Sequence, residues 1–297
     1  MDDVALDGKE VLVRVDFNVP VGKDGVVDQS EDYRIQASIK TIEELCQRRC
    51  KVILLTHRGR PNEEEGDFSL EPIRKRLEDL IKSEVRQIPK MDRNVVDSVL
   101  AGFESGSVVM LPNVRLDERE VMGGRKFAEE LSELGDVYVN EAFSVCHRKH
   151  ASIAEVPKLM VSCAGRRTVL EYEVLSKLAS EPQKPYVAIA SGSKVHTKVT
   201  LLRRLLEKAD HLCVGGKIAN AFLAAGGLCS SSQCDAVDVD GAKKIWDKFS
   251  EKIILPSDVV VSDAETGEVK TVAVEDIPEA ASGVWDVGPK TVETFLR

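Results

Sequence analysis

The order of apolar and amphipathic segments constrains this chain most, because short strand-like runs alternate with helix-like stretches. Apolar runs typical of buried strands occur at 11–13, 51–56, 108–111, 137–139, 186–190 and 211–214. Helical apolar spacing lies between them, as at 35–46, 70–81 and 126–134. Strands that alternate with helices favour a parallel sheet with helices on its faces. We therefore predict an α/β protein with two domains, each a parallel sheet flanked by helices.

A polar segment with two prolines, Glu181 to Pro185, follows a long helical pattern at 165–178 and marks the best domain boundary. We predict one α/β domain over 1–163, a connecting helix and linker over 164–184, and a second α/β domain over 185–297. The alternative is a single domain in which the helix at 165–178 faces the core.

Charge and cysteine usage narrow the class of protein. The net charge is −9 and the pI is about 5.3, which argues against a general nucleic-acid or anionic-membrane binder. No apolar run approaches the ~20 residues of a membrane helix, and the acidic start Met1-Asp2-Asp3 is unlike a signal peptide. The seven cysteines form no Cys-x-x-Cys motif. We expect a cytoplasmic protein with reduced thiols and no membrane or nucleic-acid partner.

Polar groups follow the first predicted strand in an alternating pattern. Arg14, Asp16 and Asn18 alternate with apolar residues, so their side chains share one face of the chain. Buried charges are costly unless they are paired, and ligands bind at the carboxyl ends of strands in open α/β sheets. The alternative is a solvated edge strand that carries an Arg–Asp ion pair.

Four predicted strands each run into arginine or histidine, namely Arg14, then His57 and Arg60, then Arg115, then His147 and Arg148. Carboxyl ends of parallel strands lie along one edge, so these cations would gather in one cleft. Arginine binds phosphate and carboxylate through planar, bidentate contacts. We expect a site for a multiply charged anion, although each arginine alone could be an ordinary surface charge.

Three histidines near these strand ends, His57, His147 and His150, could also be metal ligands. The neighbouring arginines repel a cation, and no cysteine or carboxylate completes a ligand set. We therefore predict no protein metal site here.

Two strand–helix turns in the second half carry glycine and lysine. Ser191 to Lys198 follows one predicted strand, and Gly215-Gly216 follows the next. Such turns let backbone N–H groups approach a phosphate at a helix N-terminus. Lys194 and Lys198 are four apart and would share a face if both were helical. The pattern predicts a second anion or nucleotide site. A plain turn with solvated lysines is one alternative, and a dinucleotide-binding dehydrogenase is another.

These motifs, in this order, resemble the phosphoglycerate kinase family. The shared segments run from the first strand to the last residues: V-R-V-D-F-N-V-P, D-Y-R-I, T-H-R-G-R-P, L-P-N-V-R, V-N-E-A-F-S-V-C-H-R-K-H-A-S, S-G-S-K-V-H-T-K, V-G-G-K-I-A-N-A-F-L, L-P-S-D-V-V-V and D-V-G-P-K-T.

The resemblance implies that the first domain binds 3-phosphoglycerate or 1,3-bisphosphoglycerate and that the second binds ADP or ATP with Mg²⁺. The substrate residues would be Asp16, Asn18, Arg34, His57, Arg60, Arg115 and Arg148. The nucleotide residues would be Gly192, Lys194, Lys198, Gly215 and Gly216. Catalysis would rest on Arg34, Lys194 and Lys198, with Arg34 stabilising the transferring phosphoryl charge. The resemblance also implies glycolytic phosphoryl transfer, and we expect a monomer.

The sequence departs from the family mainly in its nucleotide half. The family's Gly-Gly-Ala-Lys-Val is Ser191-Gly-Ser-Lys-Val here, Thr197 replaces an acid, and Val284-Trp285 adds bulk near the adenine side. Asn140-Glu141 replaces Asn-Asp. The family's later motifs, including its magnesium-binding acid, do not occur, so we expect a truncated second domain without that ligand. The alternative function is a catalytically silent relative that binds a phosphoglycerate-like anion without turnover.

Overall fold

The computed structural model describes residues 1–61, 63, 65–102, 104–192, 194–228, 236–263, 266–277 and 281–297, with the backbone alone for 281–283. The chain divides into two compact units, 1–176 and 177–297. This division lies inside the segment 164–184, which the sequence predicts to be the connection. The assignment of one ligand to each unit stays a prediction.

The first unit is built on a six-stranded sheet in which every strand is parallel to its neighbours. Its order is β3-β4-β2-β1-β5-β6. The strands are β1 (Glu10–Arg14), β2 (Lys51–Leu55), β3 (Val85–Gln87), β4 (Val108–Met110), β5 (Val137–Asn140) and β6 (Val161–Ala164). Strand β1 therefore lies at the centre, and the edge-strand alternative for it is wrong.

Helices cover both faces of this sheet. They are α1 (Tyr33–Gln47), α2 (Glu71–Ile81), α3 (Arg93–Leu100) and α5 (Arg125–Ser132). The short helix α4 (Glu118–Val121) precedes α5, and α6 (Arg166–Ser180) follows β6 and buries none of its residues. Val11 and Val13 of β1 pack with residues of α1 and α2 on one face. Leu12 packs with residues of α3 and α5 on the other. Each face buries its own apolar cluster, as a parallel sheet requires, and the carboxyl edge is left to polar side chains.

The second unit contains two three-stranded sheets. One is parallel, in the order β7-β8-β9, and the other is antiparallel, in the order β11-β10-β12. Its strands are β7 (Val187–Ala190), β8 (His211–Val214), β9 (Ile253–Ile254), β10 (Asp258–Asp263), β11 (Val269–Ala273) and β12 (Ala281–Val287). Its helices are α7 (Val199–Lys208), α8 (Gly216–Ala225), α9 (Ala236–Phe249) and α10 (Pro289–Leu296).

The α/β class with parallel sheets and flanking helices is confirmed, but the antiparallel sheet of the second unit extends beyond the prediction. The sequence indicates pairing of 259–261 with 271–274, and β10 and β11 do pair. It does not indicate β12, which joins β10 on the other side. The polar loop expected at 230–233 lies outside the described residues. No helix in the described part of the chain is long and apolar enough to span a membrane.

Candidate functional site

Arg14, the last residue of β1, is completely buried at the carboxyl edge of the first sheet. Its Nε donates to Ser152 Oγ at 3.0 Å, and Nη2 lies 3.1 Å from His57 Nδ1. Nη1 donates to the carbonyl of Val15. Arg14 is therefore held by neutral acceptors, and the Arg–Asp pair expected from the sequence forms with a different arginine.

His57 follows β2 and is buried beside Arg14. Burial, reinforced by the positive charges of Arg14 and Arg115, holds the pKa of His57 well below its usual value. The ring is therefore neutral near pH 7. Because Nδ1 faces the Arg14 guanidinium and must accept, the proton lies on Nε2, which is 3.8 Å from Asp16 Oδ1.

Asp16 and Arg34 form the ion pair of this edge, with Arg34 Nη1 2.7 Å from Asp16 Oδ2. The carboxylate also accepts a hydrogen bond from Ser144 Oγ, which comes from the segment after β5. Arg34 lies at the start of α1 with about a third of its side chain exposed, whereas Asp16 is buried. The pair therefore leaves an oriented guanidinium at the surface, held in place by a buried acid.

The backbone of Gly59 links Asn18 to Arg115 through two hydrogen bonds. Its N–H donates to Asn18 Oδ1 at 2.9 Å, and its carbonyl accepts from Arg115 Nη1 at 2.9 Å. Asp16 Oδ1 also accepts a hydrogen bond from the Asn18 N–H at 3.3 Å. The predicted residues Asp16, Asn18 and Arg115 are therefore joined in one hydrogen-bond network at this edge of the sheet.

A cavity at this edge has three arginines among its described lining residues, which are Arg60, Pro61, Glu63, Arg115, Val121, Arg148 and His150. Burial and the nearby charge of Arg14 lower the pKa of Arg115. Among the described residues, buried Arg115 Nε and His150 Nδ1 have no hydrogen-bond partner. Glu63 is the cavity's acid, and it pairs with Arg60 at 2.9 Å. A multiply charged anion would balance the excess positive charge of the three arginines and accept a hydrogen bond from Arg115 Nε.

His57 is buried and does not line this cavity, and its polar neighbours are Arg14 and Asp16. His147 is exposed and also does not line it. His150, by contrast, contributes to the lining, and burial lowers its pKa. The sequence places all three histidines together, but the fold separates their environments.

Glu141 is a buried acid that sequence reasoning noted only as a departure from the family. Its Oε1 accepts hydrogen bonds from Thr41 Oγ1 at 2.5 Å and from the backbone N–H of Arg167 at 3.0 Å. The N–H of Arg166 donates to Thr41 Oγ1. Glu141 and Thr41 therefore cap the N-terminus of α6. Burial raises the pKa of Glu141 despite these bonds. It also lines a second cavity that includes Asp16, Arg34 and Ser144.

In the second unit, the turns after β7 and β8 approach each other closely. Gly216 has φ +55°, and a Cβ there would lie 2.8 Å from Ser191 Oγ. Gly192 has φ +131°, and a Cβ there would lie 2.2 Å from Lys198 Nζ. A Cβ on Gly215 would contact both Ser191 and Val287, at the end of β12. Positive φ therefore favours glycine at positions 192 and 216 of this meeting of three strand ends, whereas the contacts at Gly215 are ordinary van der Waals distances.

Lys194 is exposed and Lys198 is half-buried, and only Lys198 adjoins a helix. Helix α7 begins at Val199 with Lys198 as its N-cap, so the expectation that the two lysines share a helical face is wrong. The hydrogen bond from the Lys198 N–H to the carbonyl of Val195, at 2.7 Å, forms a tight turn instead. Lys198 Nζ lies 3.3 Å from the carbonyl of Ser191.

Mg²⁺ prefers several oxygen ligands, usually one or two carboxylates with phosphates and water. The described residues contain no group of three histidine, cysteine, aspartate or glutamate side chains that could hold a metal ion. Among the described side chains of the Ser191–Lys198 turn, the two that carry an ammonium group for a phosphate are Lys194 and Lys198. They suit the phosphates of a nucleotide and do not form a metal site by themselves.

Comparison with known proteins gives one consistent family. The family model described as phosphoglycerate kinase matches residues 1–297. The phosphoglycerate kinase of Thermosipho africanus is 39% identical over 301 residues, which cover 99% of this chain and 74% of the relative. That of Aquifex aeolicus is 39% identical over 300 residues, covering 98% and 74%.

Solved structures agree with the sequence comparison. The phosphoglycerate kinase of Coxiella burnetii matches with a TM-score of 0.76 and 35% identity, covering 99% of this chain and 75% of that one. The enzyme from Pyrococcus horikoshii matches with a TM-score of 0.84 and 26% identity, covering 99% and 76%. With both the sequence and the fold matched over nearly its whole length, this chain belongs to the phosphoglycerate kinase family.

Proposed function

We propose that this chain catalyses reversible phosphoryl transfer between 1,3-bisphosphoglycerate and ADP, giving 3-phosphoglycerate and ATP, as a cytoplasmic, monomeric glycolytic enzyme. The observation that carries the proposal is the cationic cavity of Arg60, Arg115, Arg148 and His150 at the carboxyl edge of the first sheet, in a member of this family. The unit 1–176 would bind the phosphoglycerate, and the unit 177–297 would bind the nucleotide.

Substrate binding follows from the charge of the cavity. Arg115 loses part of its hydration on burial, and its Nε has no partner among the described residues. A phosphate in the cavity would supply acceptors to Arg115, Arg148 and Arg60 at once. Asn18 and Asp16 would then face the hydroxyl and carboxylate end of the glycerate, since both are connected to the cavity through Gly59.

Phosphoryl transfer depends mostly on positioning and on neutralising charge. Arg34 is suited to stabilise the charge on the transferring phosphoryl group, because Asp16 and Ser144 orient its guanidinium. Lys194 and Lys198 would contact the nucleotide phosphates, and Gly192, Gly215 and Gly216 would allow the close approach of its backbone. Mg²⁺ bound with the nucleotide supplies further neutralisation of phosphate charge.

A catalytically silent phosphoglycerate-binding protein is the second candidate. Lys198 Nζ donates one hydrogen bond to the carbonyl of Ser191 at 3.3 Å, which leaves two of its three donors for a nucleotide phosphate. The anion cavity lies in the first unit, so 3-phosphoglycerate could bind there without turnover if these remaining contacts hold the nucleotide too weakly.

A coupled assay of ATP formation from 1,3-bisphosphoglycerate and ADP separates the two candidates. The proposed enzyme forms ATP, and Arg34→Ala and Lys198→Ala each lose most of this activity. Arg125→Ala is the matched control, because Arg125 is an exposed arginine of α5 that pairs with Glu129. Calorimetric binding of 3-phosphoglycerate without ATP formation would support the silent relative instead.

A further inference from the structure

The turn that carries Lys194 and Lys198 is attached to another helix by one buried carboxylate. Asp238, in the first turn of α9, has 9% relative exposure. Its Oδ1 accepts the backbone N–H of His196 at 2.8 Å and lies 2.6 Å from His196 Nδ1. The two residues are 42 positions apart in the sequence, so the contact is a long-range tie between a turn and a helix.

The chemistry of this pair is well defined. An ionised carboxylate only accepts hydrogen bonds, so His196 Nδ1 carries a proton and donates it. Burial alone would raise the pKa of Asp238, but the hydrogen bonds from the His196 backbone and ring lower it overall. The Asp238 side chain is therefore ionised near pH 7, and both of its bonds to His196 are charge-assisted.

Apolar contacts beside the His196–Asp238 pair also hold the turn against α9. Val195 is buried, and a Cβ on Gly241 would lie 3.8 Å from its Cγ1 and 3.0 Å from Cγ2 of Val199. Gly241 is one turn after Asp238, on the face of α9 that also buries Ala242 and Ile245. Residues 195 and 196 are thus held against α9, while on either side Lys194 is exposed and Lys198 is half-buried.

We propose that Asp238 is a positioning residue for nucleotide binding. Through His196 it holds the turn so that Lys194 and Lys198 present their ammonium groups to the same phosphate chain. This inference rests on the proposed function, since it deepens the role of the Lys194–Lys198 turn. It predicts that Asp238 acts on nucleotide affinity while it touches no substrate atom.

The test compares Asp238→Ala, Asp238→Asn and Asp240→Ala. Asn keeps one oxygen acceptor for the His196 N–H but loses the charge. Asp240 is the matched control, because it lies on the same helix, is exposed and pairs with Lys244. Calorimetry gives the affinity for ADP and, separately, for 3-phosphoglycerate. Amide hydrogen exchange reports the His196 N–H directly, and circular dichroism confirms that each variant is folded.

We expect Asp238→Ala to weaken ADP binding about tenfold and to speed exchange at His196. Asp238→Asn should be intermediate, whereas Asp240→Ala and all 3-phosphoglycerate affinities should match the wild type. In a turnover assay, KM for ADP should rise more than kcat falls.

Unchanged ADP affinity in Asp238→Ala, or an equal loss of affinity for both ligands, overturns the inference. If the wild type binds ADP and Asp238→Ala weakens that binding, but no ATP forms, then the proposed function fails and this inference stands. A wild type that binds no ADP contradicts both.

Discussion

The guanidinium of Arg14 lies 3.1 Å from Nδ1 of His57, and both side chains are buried at the carboxyl edge of the first sheet. Two cationic side chains would repel each other at this distance, so one of the two must be neutral. The neutral one is His57, because burial holds its pKa well below the usual value. The pair therefore carries one fixed positive charge, and its contact connects the end of β1 to the segment that follows β2.

This neutral histidine gives stability a defined dependence on pH. Because the folded pKa of His57 is depressed, only the unfolded chain takes up this proton as the pH falls below about 6.5. The free energy of unfolding is therefore undiminished by His57 above about pH 6.5 and falls on acidification, by at most about 1.4 kcal/mol per pH unit. His57→Gln should make the free energy of unfolding fall less steeply between pH 7 and pH 5 in urea titrations. Equal slopes for the two proteins would show that His57 is charged in the folded state.

Substrate affinity should depend on individual arginines of the first unit. Arg148→Ala removes a cavity cation, and Arg34→Ala removes the guanidinium held by Asp16. A charge-assisted contact contributes about 1.5–3 kcal/mol, so each variant should weaken 3-phosphoglycerate binding roughly 10- to 150-fold. Binding should also weaken with added salt. Calorimetry in which both variants equal Arg125→Ala would remove the cavity as the substrate site.

Asp258 should stabilise the second unit by capping α10. Its carboxylate accepts the N–H groups of Lys290 at 3.1 Å and Thr291 at 2.7 Å, together with the Thr291 hydroxyl at 2.7 Å. Asp258→Ala should lower the free energy of unfolding by about 2 kcal/mol. The exposed Asp247 of α9 provides the control, Asp247→Ala. In a double-mutant cycle with Thr291→Val, additive losses would show that the two side chains do not cooperate.

The close approach at Gly192 predicts a specific loss of nucleotide affinity. Gly192→Ala places a methyl group at the position now occupied by Lys198 Nζ, in a backbone conformation that non-glycine residues rarely adopt. Gly227→Ala is the matched control, because Gly227 also has positive φ but nothing lies within 4 Å of its Cβ position. ADP affinity should fall at least about tenfold for Gly192→Ala alone. A similar loss in both variants would point to backbone strain rather than to the lysine.

The elements that the sequence predicts are those in which apolar residues recur with a clear strand or helix spacing. Strands β1, β2, β4 and β5 are apolar runs, and α1, α2 and α5 bury most of the apolar residues that the helical spacing selects, although Ile39 of α1 is only half-buried. Strands β3 and β6, V-R-Q and V-S-C-A, are short and partly polar, so they carry no such pattern. They are specified by pairing with β4 and β5, which is a tertiary effect.

The strand ends indicate where the candidate site lies, whereas contacts between residues distant in the sequence are not indicated, and the binding roles of these residues stay predictions. The cations after β1, β2, β4 and β5 do meet at one edge. The partner of Asp16 proved to be Arg34 rather than Arg14, because β1 is central and Arg14 points into the buried side of the edge. Ser144 and Ser152 belong to the segment V-N-E-A-F-S-V-C-H-R-K-H-A-S, but the sequence does not indicate which groups their hydroxyls contact. Asp238 had no sequence signal, since its contact with His196 depends on how α9 packs.

The most direct test of the proposed reaction is ³¹P NMR of 1,3-bisphosphoglycerate, ADP and Mg²⁺ mixed with this 297-residue chain. We predict that the acyl-phosphate signal falls while the γ-phosphate signal of ATP rises by the same amount. Arg34→Ala should slow this exchange by at least about a hundredfold, and Arg125→Ala should not. If the acyl phosphate is lost only as inorganic phosphate, at the rate seen without protein, then the chain does not perform phosphoryl transfer.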